Sequence, residues 1–257
     1  SLHSMTLSGG GAGLRFYLVP DFDRMLEIGV GNVIVGAMNQ SFFTLSIGIG
    51  SMAIFGSYID KDHSLMGESV NVIVLDTFVA ILAGFIIFPA CSTYGLEVNA
   101  GPSLLFDTMA SVFNHMAGGR IWGTMFFLFM IFAALSTVLG ACENILAMVR
   151  ELTGWSRPKG CIICGTGIFL LALTTALGYS VIHFQPFAEG TAWLDLWDFI
   201  VSNNVLPLGS LVLTLFCCNK FGWGWDNFVR EANTGRGLKI RPWMRPVFQY
   251  ITPVIIV

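Results

Sequence analysis

Asp76 stands alone in Ser69–Leu96, a stretch built of Val, Leu, Phe, Ile and small residues with no other charge. A carboxylate at the centre of a membrane helix costs roughly 2.5–3.5 kcal/mol, and such residues usually serve a site and have a cationic partner. No Lys or Arg lies inside the apolar stretches, so a bound metal cation or a proton is the simplest partner. The alternative is a neutral Asp76 hydrogen-bonded to a neighbouring helix. A second unusual segment is Gln40-Ser-Phe-Phe-Thr-Leu-Ser-Ile-Gly-Ile-Gly50, where Thr44, Ser46, Gly48 and Gly50 make a poor continuous helix. Two readings are open: an interrupted helix whose freed backbone groups face a cavity, or a straight helix using small residues for close packing. A third is Ala133-Ala-Leu-Ser136-Thr137, followed by Gly140, Ala141 and Glu143. Adjacent hydroxyls beside a carbonyl suit an alkali cation, and small residues also serve helix packing.

The elements that position these groups are set by composition. The 257 residues are 54% hydrophobic and only 11% charged, with a mean hydropathy of +0.72. Soluble domains carry about 25% charged residues, so this chain is solvated by lipid. Runs long enough to cross a bilayer predict an all-α, polytopic helical membrane protein forming one transmembrane domain over residues 1–257. The predicted spans are 28–59, 69–96, 120–149, 160–183 and 194–219, with a partial span at 247–257. Basic residues sort by side: ten lie in the loops after the first, third and fifth spans, and three in the others. Cytoplasmic loops are enriched in Lys and Arg. Residues 1–27 are therefore expected outside, and the 220–245 loop in the cytoplasm. Between the second and third spans, Leu104, Leu105, Phe106, Met109, Val112 and Phe113 recur at helical spacing. They predict an amphipathic helix over about 101–116 on the outer face, either a lid or simple packing. Pro207 is expected to kink the fifth span, and Trp193, Trp197, Asp195 and Asp198 mark its outer interface.

Other chemistries fit poorly. The scattered basic residues leave no nucleic-acid footprint. His3, His63, His115 and His183 lie outside or at the margins of the spans. Neither a metal-ligand pair at i, i+4 nor a nucleophile–base pairing can be read at membrane depth, which argues against an enzyme. No ring of identical ligands marks a channel filter. Cys161-x-x-Cys164 and Cys217-Cys218 admit a metal or redox reading, but Cys in apolar runs is usually a small hydrophobe.

The Gln40–Gly50 run, preceded by Arg15-Phe-Tyr-Leu-Val-Pro-Asp-Phe22, resembles the neurotransmitter:sodium symporter family in its bacterial branch. The likeness continues through Ala83-Gly-Phe-Ile-Ile-Phe-Pro89, Ala100-Gly-Pro-Ser-Leu-Leu-Phe, Phe132-Ala-Ala-Leu-Ser-Thr137, Asn203-Asn-Val-Leu-Pro-Leu-Gly209 and Tyr250-Ile-Thr-Pro253. The resemblance implies the second half of a LeuT-like inverted-repeat transporter with a broken first span. It implies a fragment from the loop before helix 6 to the start of helix 11, in the plasma (inner) membrane, with helices 1–5 missing. Those helices would be its partners, together with the lipid bilayer and an amino-acid substrate.

Carried over by resemblance, Phe43 is the aromatic lid over the substrate. Thr44 and Ser46 face the substrate's amino end, and Ile49, Thr137 and Ala141 line its pocket. Ile49 and Ala141 stand where some small-aliphatic transporters carry Phe and Ile, which implies a roomier pocket. Thr44 and Asp76 match one Na+ site; Ala133, Ser136 and Thr137 match the other, and each is completed by the missing helix 1. Gln40 and Ala80 match chloride-site positions. The carboxylate of Asp76 and the absence of Ser at Ala80 imply no chloride. Asp198 matches an outer gate. The alternative function is a proton-coupled permease using Asp76 and Glu143.

Overall fold

The computed structural model describes residues 10–93, 104–178, 181, 185–187 and 191–257. They are helical nearly throughout. In chain order the elements are α1 (Gly10–Leu18), α2 (Phe22–Ile28), α3 (Val30–Thr44), α4 (Ser51–Ser57), α5 (Leu65–Thr93), α6 (Met109–His115), α7 (Gly119–Thr153), α8 (Arg157–Gly178), α9 (Trp193–Ile200), α10 (Leu206–Cys218), α11 (Trp225–Ala232) and α12 (Thr252–Ile256). Among the described residues four helical runs are long and apolar enough to cross a membrane: Leu65–Thr93, Gly119–Thr153, Arg157–Gly178 and Trp193–Cys218. These match four of the predicted spans. Residues 94–96 and 179, 180, 182 and 183, assigned to two of those spans, lie outside the described residues. The run of 28–59 is divided between α2, α3 and α4. Large apolar side chains such as Phe129 (74% exposed) and Leu139 (68%) point outward, as expected when lipid is the solvent.

The described chain groups into two compact units. In the first, residues 1–33 and 72–137, α1 lies hard against the end of α5. A Cβ on Gly13 would overlap the backbone of Phe88 and Pro89, and one on Gly84 would overlap the Tyr17 ring. Tyr17 stacks on Phe88 with centroids 4.7 Å apart. Beyond it, Ala90 and Cys91 pack with Met109 and Val112 of α6, and Ile87, Leu104, Phe113 and Phe126 surround them. The amphipathic helix predicted at 101–116 is thus a π-helical turn, Leu104–Thr108, leading into α6. Met109 and Val112 are buried in this cluster with Leu104 and Phe113 against them, whereas Phe106 is 60% exposed; residues 101–103 lie outside the described residues.

In the second unit, residues 34–71 and 138–257, the polar end is closed by a small core of Cys218, Trp225, Ala232 and Ile240 against Leu65, Met66, Phe228, Val229, Met244 and Phe248. The amphipathic α11 supplies the middle of it. Two loops interlock below: the Ser64 amide donates to the Arg236 carbonyl at 3.0 Å and the Arg236 amide to the Asp62 carbonyl at 2.7 Å. Asn233 clasps both the amide and the carbonyl of Ile240, and the Gln249 side chain donates to the Cys218 carbonyl at 2.7 Å. The partial last span is a π turn, Val247–Ile251, followed by α12, which packs on α10.

The contact between α1 and α5 leaves no room for a methyl group. Gly13→Ala is expected to destabilise the protein by about 1–3 kcal/mol through overpacking. Gly11→Ala, which meets nothing within 4 Å, is expected to be neutral or slightly stabilising. Thermal unfolding of the two variants in detergent checks this.

Candidate functional site

The segment of mixed Gly, Ser and Thr is an interrupted helix, which decides between the two readings of it. α3 ends at Thr44, residues 45–50 are unwound and α4 begins at Ser51. The ending is a Schellman closure: the Ile47 amide donates to the Phe42 carbonyl at 2.9 Å and the Ser46 amide to the Phe43 carbonyl at 3.1 Å. That closure needs a residue at positive φ, normally Gly. Here it is Ser46, at φ 50°, the only non-glycine with positive φ among the described residues. Gly48 (φ 95°) and Gly50 (φ 82°) then carry the chain into α4.

Two neighbours in the same unit brace the unwound backbone. The Asn144 side chain on α7 donates to the Ile49 carbonyl at 3.1 Å. Gly48 meets Gly209 and the Leu206 carbonyl of α10 so closely that a Cβ on either glycine would overlap the opposing backbone. Asn144 lies three residues beyond Ala141, on the same helical face. Its bond therefore brings Ala141 and Ile49, two of the three predicted pocket residues, into one neighbourhood. Phe43 is 56% exposed and Ile49 39%; Thr44 and Gln40 are also exposed.

In the first unit, Asp76 is a half-buried residue of α5, one turn before the exposed Ala80. On α7, the Ser136 hydroxyl donates to the Ala133 carbonyl at 2.8 Å and the Thr137 hydroxyl to the same oxygen at 3.1 Å. Hydroxyls in helices commonly bond back to the preceding turn. The consequence here is that three neutral oxygens are gathered at one point of the helix. Among the described residues no group of three or more His, Cys, Asp or Glu side chains stands close enough to hold a metal ion. The cysteine pairs on α8 and α10 are free thiols.

The fifth span is interrupted as well, and the disturbance predicted at Pro207 takes the form of a π turn. Residues Val201–Val205 bond i to i+5, with the Leu206 amide donating to the Val201 carbonyl. Pro207 has no amide to offer the fourth carbonyl before it, and widening the turn accommodates the deficit. Each polar side chain on this turn has a partner. Ser202, which is buried, donates to the Asp198 carboxylate at 2.6 Å. Asn204 donates to the Phe199 carbonyl at 2.9 Å. Asn203 accepts from the Asn39 side chain of α3 at 2.7 Å.

Glu143 has two partners that the sequence did not reveal. Arg157, at the start of α8, sits 2.8 Å from its carboxylate, and the Tyr58 hydroxyl, just past α4, donates to it at 3.3 Å. Asn39, Tyr58, Asn144 and Arg157 were all missed. For Asn39 and Asn144 a signal existed, since each is an amide inside an apolar run.

The comparisons with known proteins follow the same lines. The model of the sodium:neurotransmitter symporter family matches residues 1–257. The chain belongs to that family. It is 33% identical over 215 residues to YhdH, an uncharacterised sodium-dependent transporter of Bacillus subtilis, covering 84% of this chain and 47% of that protein. It is 25% identical over 273 residues to the human sodium- and chloride-dependent taurine transporter, covering 100% of this chain and 41% of the other. Among solved structures it matches the crystal structure of MhsT in complex with L-phenylalanine. That match has a TM-score of 0.85 and 35% identity over 99% of this chain and 56% of that one. The chain thus spans about half the length of the relatives it matches. It is part of a multi-pass membrane protein of a transporter family, not an enzyme, and shares the LeuT fold of MhsT over that half.

A serine in the left-handed region costs about 1–2 kcal/mol relative to glycine. Ser46→Gly is expected to raise the stability of the fold by roughly 1 kcal/mol in thermal unfolding. If the hydroxyl serves a ligand, the same variant loses ligand affinity. A fold left no more stable by Ser46→Gly would mean that the strained conformation carries no such cost.

Proposed function

We propose that the whole protein is a sodium-coupled symporter of an amino acid with a large apolar or aromatic side chain, working by alternating access and without chloride. The observation that carries this is the interrupted helix at residues 45–50 in a member of this family. In a membrane, backbone is left unwound only where it is buried or lines a cavity, and half-helix ends there suit a zwitterion and its cations. In this reading Phe43 covers the substrate, and Thr44 and Ser46 meet its amino group. Ile49, Thr137 and Ala141 line its side-chain pocket. Thr44 and Asp76 contribute to one sodium site. The Ala133 carbonyl and the Ser136 and Thr137 hydroxyls contribute to the other, and Asp198 guards the outer entrance. The missing ligands come from helix 1. Residues 1–27 lie outside and the 220–245 loop inside the plasma membrane, as the ten-to-three split of basic residues favours.

Two details sharpen the reading. Ile49 and Ala141 are smaller together than a Phe and an Ile, and a structural relative at 35% identity holds L-phenylalanine, which supports a roomy apolar pocket. Asp76 brings its own negative charge beside a cation, so an anion in the neighbouring position, at Gln40 and Ala80, is unnecessary. The proton-coupled alternative is less well supported by the surroundings of Glu143. Glu143 is engaged by the Arg157 guanidinium and the Tyr58 phenol, which suits a strut joining the end of α4 to α7 and α8.

Uptake of labelled L-phenylalanine by the whole protein in proteoliposomes tests the proposal. An inward sodium gradient is expected to drive it and choline to abolish it, while gluconate in place of chloride leaves it unchanged. Asp76→Asn is expected to weaken apparent sodium affinity about tenfold or more, equivalent to at least ~1.4 kcal/mol. Ile49→Phe with Ala141→Ile is expected to shift the phenylalanine-to-alanine preference about tenfold toward alanine. Loss of uptake in gluconate would remove the chloride claim. Uptake driven by a proton gradient in choline would replace sodium coupling with the alternative.

A further inference from the structure

Asn39 and Asn203 are 164 residues apart and lie on two different helices, yet their side chains meet at 2.7 Å. Both helices belong to the second unit, and both are interrupted close to the bond. α3 ends five residues beyond Asn39, at Thr44. Asn203 is the middle residue of the π turn that joins α9 to α10. A polar pair at membrane depth is a candidate for function by default, and a pair bridging two weak points of the backbone has an evident mechanical use.

The contact below the bond gives it a direction. Gly48 and Gly209 touch backbone to backbone, with no space for a side chain on either. Gly209 is six residues past Asn203, about 9 Å along a helix. Two segments that touch so closely at one level and share a side-chain hydrogen bond at another can separate by pivoting about the touching point. The glycine contact is then a fulcrum, and the amide pair is what must break. Two residues move with the pair. Phe43 lies four residues after Asn39 on the same helical face, and Asp198 is tied to the π turn through Ser202.

We propose that Asn39 and Asn203 are positioning residues that latch α3 closed against the α9–α10 span, with Gly48 and Gly209 as the pivot, so that release of the latch swings Phe43 and Asp198 apart. The strength of the bond suits the task. Neutral side-chain hydrogen bonds between membrane helices shift an equilibrium about threefold on average, enough to bias a closed state and too little to trap it. The roles of Phe43 as lid and Asp198 as gate rest on the symporter reading above; the latch itself does not.

The test is a spin-label distance measurement on the whole protein in liposomes without substrate. The native cysteines are replaced, and labels are placed at Gly36→Cys, where added atoms meet nothing within 4 Å, and at the partly exposed Ile200→Cys. Two distance populations are expected. Asn203→Ala and Asn39→Ala should each raise the longer-to-shorter ratio about threefold, and the double variant should raise it no further. Asn203→Asp keeps an acceptor for the Asn39 amide and should restore the original ratio. Asn204→Leu, which removes only the bond to Phe199 within the same turn, should leave it unchanged. If an alanine variant does not fold, the corresponding serine variant is measured in its place. An identical distribution in all variants, additive effects in the double variant, or an equal shift in Asn204→Leu would overturn the latch. Failure of phenylalanine uptake would instead overturn the symport reading, because the distance measurement uses no amino acid.

Discussion

A peptide group inside hydrocarbon has no water to fall back on, so any departure from the helix must find its hydrogen bonds and close packing within the protein. This requirement accounts for most of what is specific in the second unit. Where α3 stops, the Schellman closure takes up the Phe42 and Phe43 carbonyls and the side chain of Asn144 takes up the Ile49 carbonyl. Where α9 gives way to α10, the π turn absorbs the amide that Pro207 lacks, and Asn204 returns a bond to Phe199. The polar residues in these spans are repairs to the backbone as much as they are chemistry.

The two irregular stretches also support one another. Glycine at 48 and at 209 lets the unwound segment and α10 approach to backbone contact, which fixes their relative height. The first unit shows the same device in an all-apolar setting, with Gly13 and Gly84 admitting the α5 backbone and the Tyr17 ring. Without a hydrophobic drive between helices in lipid, such close approaches are a main source of helix association. The difference is that the contact of α1 with α5 is sealed by Tyr17, Phe16 and Phe88 rings, whereas the contact at Gly48 sits beside polar side chains. One is lined by rings alone; the other has polar side chains at its edge.

Much of the architecture was legible because bilayer thickness and apolar run length are tied together. Residues 69–96, 120–149, 160–183 and 194–219 map onto four helical runs with shifts of a few residues. The starts moved outward from the core of each span. Leu65 to Glu68 and Arg157 to Lys159 join their helices because a helix does not end where the lipid does. The break at residues 45–50 was legible only as one of two options. Gly and Ser serve equally well to interrupt a helix or to pack it, and the decision rests on Asn144 and Gly209, about 95 and 160 residues away. For the same reason the pairing of Glu143 with Arg157 and Tyr58, and of Asn39 with Asn203, was hidden. A partner on another helix leaves no periodic trace along the chain. Pro207 was read as a kink because proline announces that a turn will be disturbed without saying how the carbonyls will be rebonded.

Ser46 shows what this division of labour leaves for function. Every other positive-φ residue among those described is a glycine, so the chain uses the unstrained solution wherever only geometry is at stake. At Ser46 it accepts a conformation that costs a side-chain-bearing residue about 1–2 kcal/mol, in a segment already weakened by the loss of helical bonds. Glycine would fit the same closure with less cost. The inference from an observed backbone outlier to a role for its side chain is the sound direction of argument. For Ser46, one residue past the point where α3 unwinds, that direction leads to the ligand-facing hydroxyl of the proposed symporter reading, which the Ser46→Gly variant tests.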